Sequence, residues 1–268
     1  MNRRNFLATS LASAAAGAAA GVAAPGALAQ DSAPAAREYY ELRRYHLVTP
    51  QRKLADSYFQ NALVPGLNRL GIQTVGVFNV SVGAESPSMY VLIPSTSLDT
   101  LANAGSRLAQ DSDFAKAASD FLNAPEKSPA FVRVESSLLS AFTGHPKLAV
   151  PAATAQKSPR IFEMRTYESA TDQDHRVKVA QVNEGEIPIF IKAGFWPVFF
   201  GDTLIGPRMP QLTYMIGFAN LTERDKAWDA FRGAPETKAL FGLPKYTFED
   251  LVTNTDNQIL TPAAYSQI

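Results

Sequence analysis

Two short stretches carry the side chains best suited to chemistry. Tyr40-Glu41-Leu42-Arg43-Arg44-Tyr45 and Phe162-Glu163-Met164-Arg165-Thr166-Tyr167 share the pattern apolar-Glu-apolar-Arg-x-Tyr. In each, the arginine can grip a carboxylate or phosphate through its planar fork. The tyrosine can donate a hydrogen bond, and the glutamate can orient the arginine or accept a proton. Glu41, Arg43, Tyr45, Glu163, Arg165 and Tyr167 are therefore the candidate ligand-binding set. The same groups can instead form a buried structural network in which each glutamate satisfies an arginine. Breaking one member of such a pair costs about 3–5 kcal/mol, reason enough for a fold to keep it, and paired buried charges favour this reading.

Other chemistry finds little support. The chain has no cysteine, which excludes disulfides, thiolate metal sites and cysteine nucleophiles. His46, His145 and His175 lack His-x-His or His-x-x-x-His spacing, so no metal site is expected. His46 is expected to face the helices as a satisfied histidine. The run Phe195-Trp196-Pro197-Val198-Phe199-Phe200 reads as core packing rather than a pocket wall. There is no Gly-x-Ser-x-Gly elbow, Gly-x-Gly-x-x-Gly turn or P-loop, so no catalytic residue and no cofactor are assigned.

The elements that must position the two trios follow from periodicity. On a strand, alternation sends Glu41, Arg43 and Tyr45 to one face and Tyr40, Leu42 and Arg44 to the other, and the second stretch repeats the split. Pro65 and Pro188, Gly71 and Gly194, Gly83 and Gly206, and Leu98 and Leu221 all keep an offset of 123 residues, which argues for duplication. Each half reads strand, helix, strand, strand, helix, strand. Thr49-Pro50 and Thr171-Asp172 open the first helices, Pro65 and Pro188 should kink them, and Gly71 and Gly194 should cap them. The apolar stripe of the first uses Leu54, Tyr58, Phe59, Ala62 and Leu63; that of its counterpart uses Val177, Ala180, Ile187 and Ile191. Closing strands are expected at about 130–142 and within 247–260.

The expected fold class is α+β, with two tandem ferredoxin-like βαββαβ repeats at 38–143 and 160–268 joined by a Pro- and Ala-containing linker at 144–159. Each repeat leaves one sheet face bare, so the sheets should cover each other as a barrel with helices outside. The more apolar Leu42 and Met164 face is expected under the helices, and the Glu-x-Arg-x-Tyr face inside the barrel.

Residues 1–29 read as an export signal. Arg3 and Arg4, followed by Asn5-Phe6-Leu7 and a weakly apolar Ala/Gly run, resemble a twin-arginine signal, with cleavage expected after Ala29. Residues 30–37 read as a tether. The expected location is periplasmic or secreted, with no membrane span in the mature protein. Charge is balanced at 25 basic and 25 acidic residues, so neither nucleic acid nor an anionic membrane is an expected partner.

The paired openings, the duplicated βαββαβ order and the tail Ile259-Leu260-Thr261-Pro262-Ala263-Ala264-Tyr265-Ser266 resemble the NIPSNAP family, of the dimeric α/β-barrel superfamily. The first repeat departs from this tail, reading Ser137-Leu138-Leu139-Ser140-Ala141-Phe142-Thr143. The resemblance implies a barrel and a homo-oligomer, and assigns no catalytic residues. Expected function is binding of a small organic ligand or a protein partner through the barrel. The superfamily also contains cofactor-independent monooxygenases, so the alternative is a cofactor-independent monooxygenase or isomerase with Arg43, Tyr45, Arg165 and Tyr167 around its substrate.

Overall fold

The computed structural model describes residues 36–268, so the expected export signal and most of the tether lie outside the described residues. The first repeat begins with β1 (Tyr39–Leu47) and a 3₁₀ turn, then α1 (Arg52–Tyr58), a π-helical turn (Phe59–Leu63) and α2 (Val64–Arg69). It continues through β2 (Gly76–Val82), β3 (Ser88–Ser95), α3 (Leu98–Ala109), α4 (Ser112–Leu122) and β4 (Phe131–Ala141). A short α5 (Ala152–Ala155) lies between the repeats. The second repeat runs β5 (Ile161–Glu168), α6 (Asp172–Gln181), a π turn (Val182–Glu186), α7 (Ile187–Lys192), β6 (Trp196–Ile205) and β7 (Gln211–Phe218). It ends with α8 (Leu221–Gly233), α9 (Pro235–Phe241), α10 (Phe248–Leu251) and β8 (Asn254–Pro262). The helical turn at α10 pushes the last strand later than periodicity placed it.

The strands close into one antiparallel barrel in the order β1-β3-β2-β8-β5-β7-β6-β4. Within each repeat the order is that of a ferredoxin-like sheet. The repeats meet edge to edge at two seams, where Val80 pairs with Leu260 and Leu139 with Thr203. Closure pairs strand edges that a lone ferredoxin-like sheet would leave open.

Duplicated residues produce duplicated local structure. Gly71 (φ +85°) and Gly194 (φ +93°) adopt the left-handed conformation that favours glycine. The next amides reach back to satisfy helix carbonyls, Ile72 N to Leu67 O at 3.0 Å and Phe195 N to Phe190 O at 3.1 Å, a Schellman closure at both sites. Pro65 and Pro188 are each the second residue after a π turn, the widened turn accommodating a residue that cannot donate to the preceding turn. Thr171 caps α6 by accepting from Asp174 N at 3.1 Å, whereas Thr49 gives no side-chain cap.

Three apolar clusters result. One fills the barrel interior, with Tyr40, Leu42, Phe78, Leu92, Phe162, Met164, Phe199 and Ile268 among its members. The others lie between the outer sheet face and the helices of the first and second repeats. The aromatic run at 195–200 packs as core on both sides of its strand: Val198 and Phe199 enter the barrel across a bulge, while Phe195 and Phe200 face the helices. Among the described residues no helix is long and apolar enough to cross a membrane.

Candidate functional site

Glu41, Arg43, Tyr45, Glu163, Arg165 and Tyr167 do not enter the barrel interior. Leu42 and Met164 take the inner face, while Tyr45 and Tyr167 join the two separate clusters beneath the helices. The expected orientation is therefore inverted. Deep inside, the inner faces converge on a space packed with apolar side chains, where a charge would lack a partner; the charged residues of that face, Arg44 and His46, lie toward the mouth, where Glu85 reaches both. The outer face opens at the edges of the helix layer, and helix side chains can reach the charges there. The inversion also carries His46 to the barrel side, where its Nδ1 lies 3.0 Å from Glu85 and its Nε2 3.3 Å from Glu135.

Apolar side chains pack the interior, and near the mouth a cavity of about 50 Å³ lies among Arg44, Tyr90, Thr166, Gln211 and Gln258. That suits a few water molecules rather than an organic ligand. Burial pushes the Tyr90 hydroxyl up to about 12, against the opposing pull of Arg44. The chemistry-bearing trios lie elsewhere.

In the second repeat the glutamate of the trio is sealed. Glu163 is fully buried, and its carboxylate accepts four hydrogen bonds. Oε1 takes Arg165 Nη1 (2.6 Å) and Arg224 Nη2 (3.0 Å); Oε2 takes Arg224 Nε (2.7 Å) and Trp228 Nε1 (2.8 Å). Burial alone would raise this carboxyl, but the bonds from Arg224, Arg165 and Trp228 outweigh it and hold the group below the usual glutamate range. Arg165 Nε donates to Tyr167 Oη at 2.9 Å, and Tyr167 shares a 3.0 Å hydrogen bond with Tyr214. Burial drives both phenols upward, so they are neutral partners at ordinary pH.

In the first repeat Tyr45 is buried, but the Glu41–Arg43 pair is part-exposed. Arg43 forks onto Glu41 with Nε at 2.6 Å and Nη2 at 2.8 Å, and Ser136 Oγ donates to Glu41 Oε1 at 2.8 Å. The Glu41 side chain is 17% exposed against 0% for Glu163, while Arg43 (17%) and Arg165 (15%) are alike, so it is the glutamate that is reachable in one repeat and sealed in the other. They lie in a groove of about 450 Å³ between α3 and strands β1 and β4, walled by Leu98, Leu101, Ala102 and Leu138. An apolar wall with one charged pair at its base is the make-up of a small-molecule site.

Tyr45 and Tyr167, and the arginines beside them, are not brought around one shared space. Sequence reasoning missed Arg224 and Trp228, which sit on α8 and close over Glu163. The signal for them was available in the repeat offset, which aligns Arg224 with Leu101 and Trp228 with Gly105. It also missed the buried pair Lys178–Glu186, with Nζ 2.6 Å from Oε1. Lys178 and Gln181 face inward and Ile191 is exposed, so the stripe expected for this helix is displaced. The π turn shifts the helical register, and burying a polar cluster inverts the apolar rule.

The fold and its grooves define a two-repeat, single-chain α/β barrel. The NIPSNAP family pattern matches residues 40–142 and again 162–267, and the chain belongs to the NIPSNAP family. Among solved structures it resembles a candidate monooxygenase from Lactobacillus acidophilus, at 13% identity and a TM-score of 0.57 over 84% of this chain and 94% of that one. A second candidate monooxygenase, from Fusobacterium nucleatum, aligns at 7% identity and a TM-score of 0.55 over 85% and 93% of the two chains. A NIPSNAP-like domain protein from Burkholderia xenovorans covers 40% of this chain and 88% of its own, at 20% identity and a TM-score of 0.36. The first two likenesses extend to the fold alone. Comparison with curated proteins finds no match.

Proposed function

We propose that this protein binds a small organic molecule in the groove between α3 and strands β1 and β4, with Glu41 and Arg43 at its base. The observation that carries this reading is the part-exposed Glu41–Arg43 pair in an apolar groove of about 450 Å³, a volume suited to an organic ligand. The cavity near the barrel mouth, at about 50 Å³, is too small for such a ligand. The alternative enzyme would need Arg43, Tyr45, Arg165 and Tyr167 around one substrate, and their division between two helix-covered faces counts against it.

The leader sequence supports export by the twin-arginine route, with binding then taking place in the periplasm or outside the cell. Because one chain supplies every barrel strand, a homo-oligomer would be built on outer surfaces. Native mass spectrometry of the purified protein tests the set together: the mass should correspond to a chain beginning at Gln30, carry a small-molecule adduct, and report the copy number. A bare protein, with no thermal stabilisation by any member of a panel of small aromatic and aliphatic compounds, would overturn the binding reading.

A further inference from the structure

The duplication lets one repeat report what the other would hold. Ser97 and Asn220 cap α3 and α8 at equivalent positions, each accepting from the amide three residues on, so the helices start in register. With that register, Gly105 occupies the place of Trp228 and Leu101 the place of Arg224. Trp228 is almost wholly buried, its indole lies over the Arg165 guanidinium (4.7 Å from Cζ to the ring centroid), and its Nε1 donates to Glu163 Oε2. At Gly105 a Cβ would meet nothing within 4 Å. Where the second repeat has an indole, the first has open space.

The acceptor inventory agrees. A carboxylate offers about four acceptor positions. Glu163 fills all four, the last with the indole N–H. Glu41 accepts three bonds among the described residues, two at Oε1 from Arg43 and Ser136 and one at Oε2 from Arg43. Oε2 of Glu41 thus keeps one acceptor position unfilled among the described residues, as the place for a fourth donor like the one Trp228 supplies to Glu163.

From this we infer that the groove of the first repeat takes a planar aromatic molecule with an N–H or O–H donor on its edge, seated where Trp228 sits in the second repeat: its ring enters past Gly105 toward Arg43 and its donor meets Glu41 Oε2. The inference rests on the groove being a ligand site, and it specifies the class of ligand. The groove exceeds one indole in volume, so substituents can extend along Leu98, Ala102 and Leu138.

Indole and its isostere benzothiophene, which lacks the donor, form the test, titrated against the full chain by calorimetry. Indole should bind about tenfold or more tightly than benzothiophene, since a hydrogen bond to a charged acceptor in a part-dry site carries that preference. Gly105→Trp rebuilds the second repeat's plug and should weaken indole by about tenfold or more while leaving the far-ultraviolet circular dichroism native. Glu41→Leu, which removes the acceptor, should erase the preference for indole over benzothiophene, and it keeps the test decisive if Gly105→Trp fails to fold. Equal binding of the two probes by the wild type would leave the groove a ligand site and overturn the donor assignment. Binding of neither would overturn both. Unchanged indole affinity in folded Gly105→Trp would place the site elsewhere.

Discussion

Trp228 Nε1 donates to Glu163 Oε2 at 2.8 Å, and Gly105, its counterpart in the other repeat, leaves Glu41 without such a donor. The duplicated charged pair is thus internal scaffold in one copy and accessible surface in the other. Replacing Trp228 by Phe preserves most of the ring and removes the donor to a buried carboxylate. It should cost about 1–3 kcal/mol of stability, measured by urea unfolding.

Glu163→Gln and Glu41→Gln should differ in severity although the two glutamates are repeat equivalents. Glu163 is buried among two arginines and an indole, so its neutralisation leaves those cations underpaired and should cost about 3–5 kcal/mol. Glu41 is part-exposed, and its loss should stay within about 1 kcal/mol. Parallel denaturant titrations compare the two.

Acid should erase the Glu163 advantage. Its folded carboxyl lies below the ordinary value, so its stabilisation is fully present above the unfolded pKa of about 4.3 and is lost as pH falls through the lower folded value. The gap in melting temperature between wild type and Glu163→Gln should therefore narrow below about pH 4. A gap constant with pH would show that the carboxylate's charge is not the source.

The Lys178–Glu186 pair has an apolar precedent inside the same chain, because the first repeat carries Ala55 and Leu63 at those positions. Lys178→Met alone strands a buried carboxylate and should cost about 3–5 kcal/mol. The double change Lys178→Ala with Glu186→Leu copies the first repeat and should recover most of that loss, read as melting temperature of the single and double variants.

Gly71→Ala and Gly194→Ala isolate backbone conformation from packing. Both glycines have positive φ, and a Cβ at either would touch nothing within 4 Å. Each substitution should therefore cost about 1–2 kcal/mol from the left-handed conformation alone. Equal losses by equilibrium unfolding would show that the two Schellman closures are energetically equivalent as well as geometrically matched.

The sequence by itself determined the two βαββαβ repeats, the glycine caps at Gly71 and Gly194, and the alternation that separates Glu41, Arg43 and Tyr45 from Leu42 and Arg44. These are local properties: strand period, proline and glycine stereochemistry, and spacing along one chain. Which face of each sheet turns inward was decided only by tertiary structure. Alternation divides a strand into two faces without saying which turns inward, and here closure of eight strands left the deep interior beyond the reach of helix side chains that could pair a charge, so the more apolar face took it. The contrast between the repeats was decided there too, because Trp228 and Gly105 acquire opposite meanings only when a helix lays one over a buried glutamate and the other beside an open one.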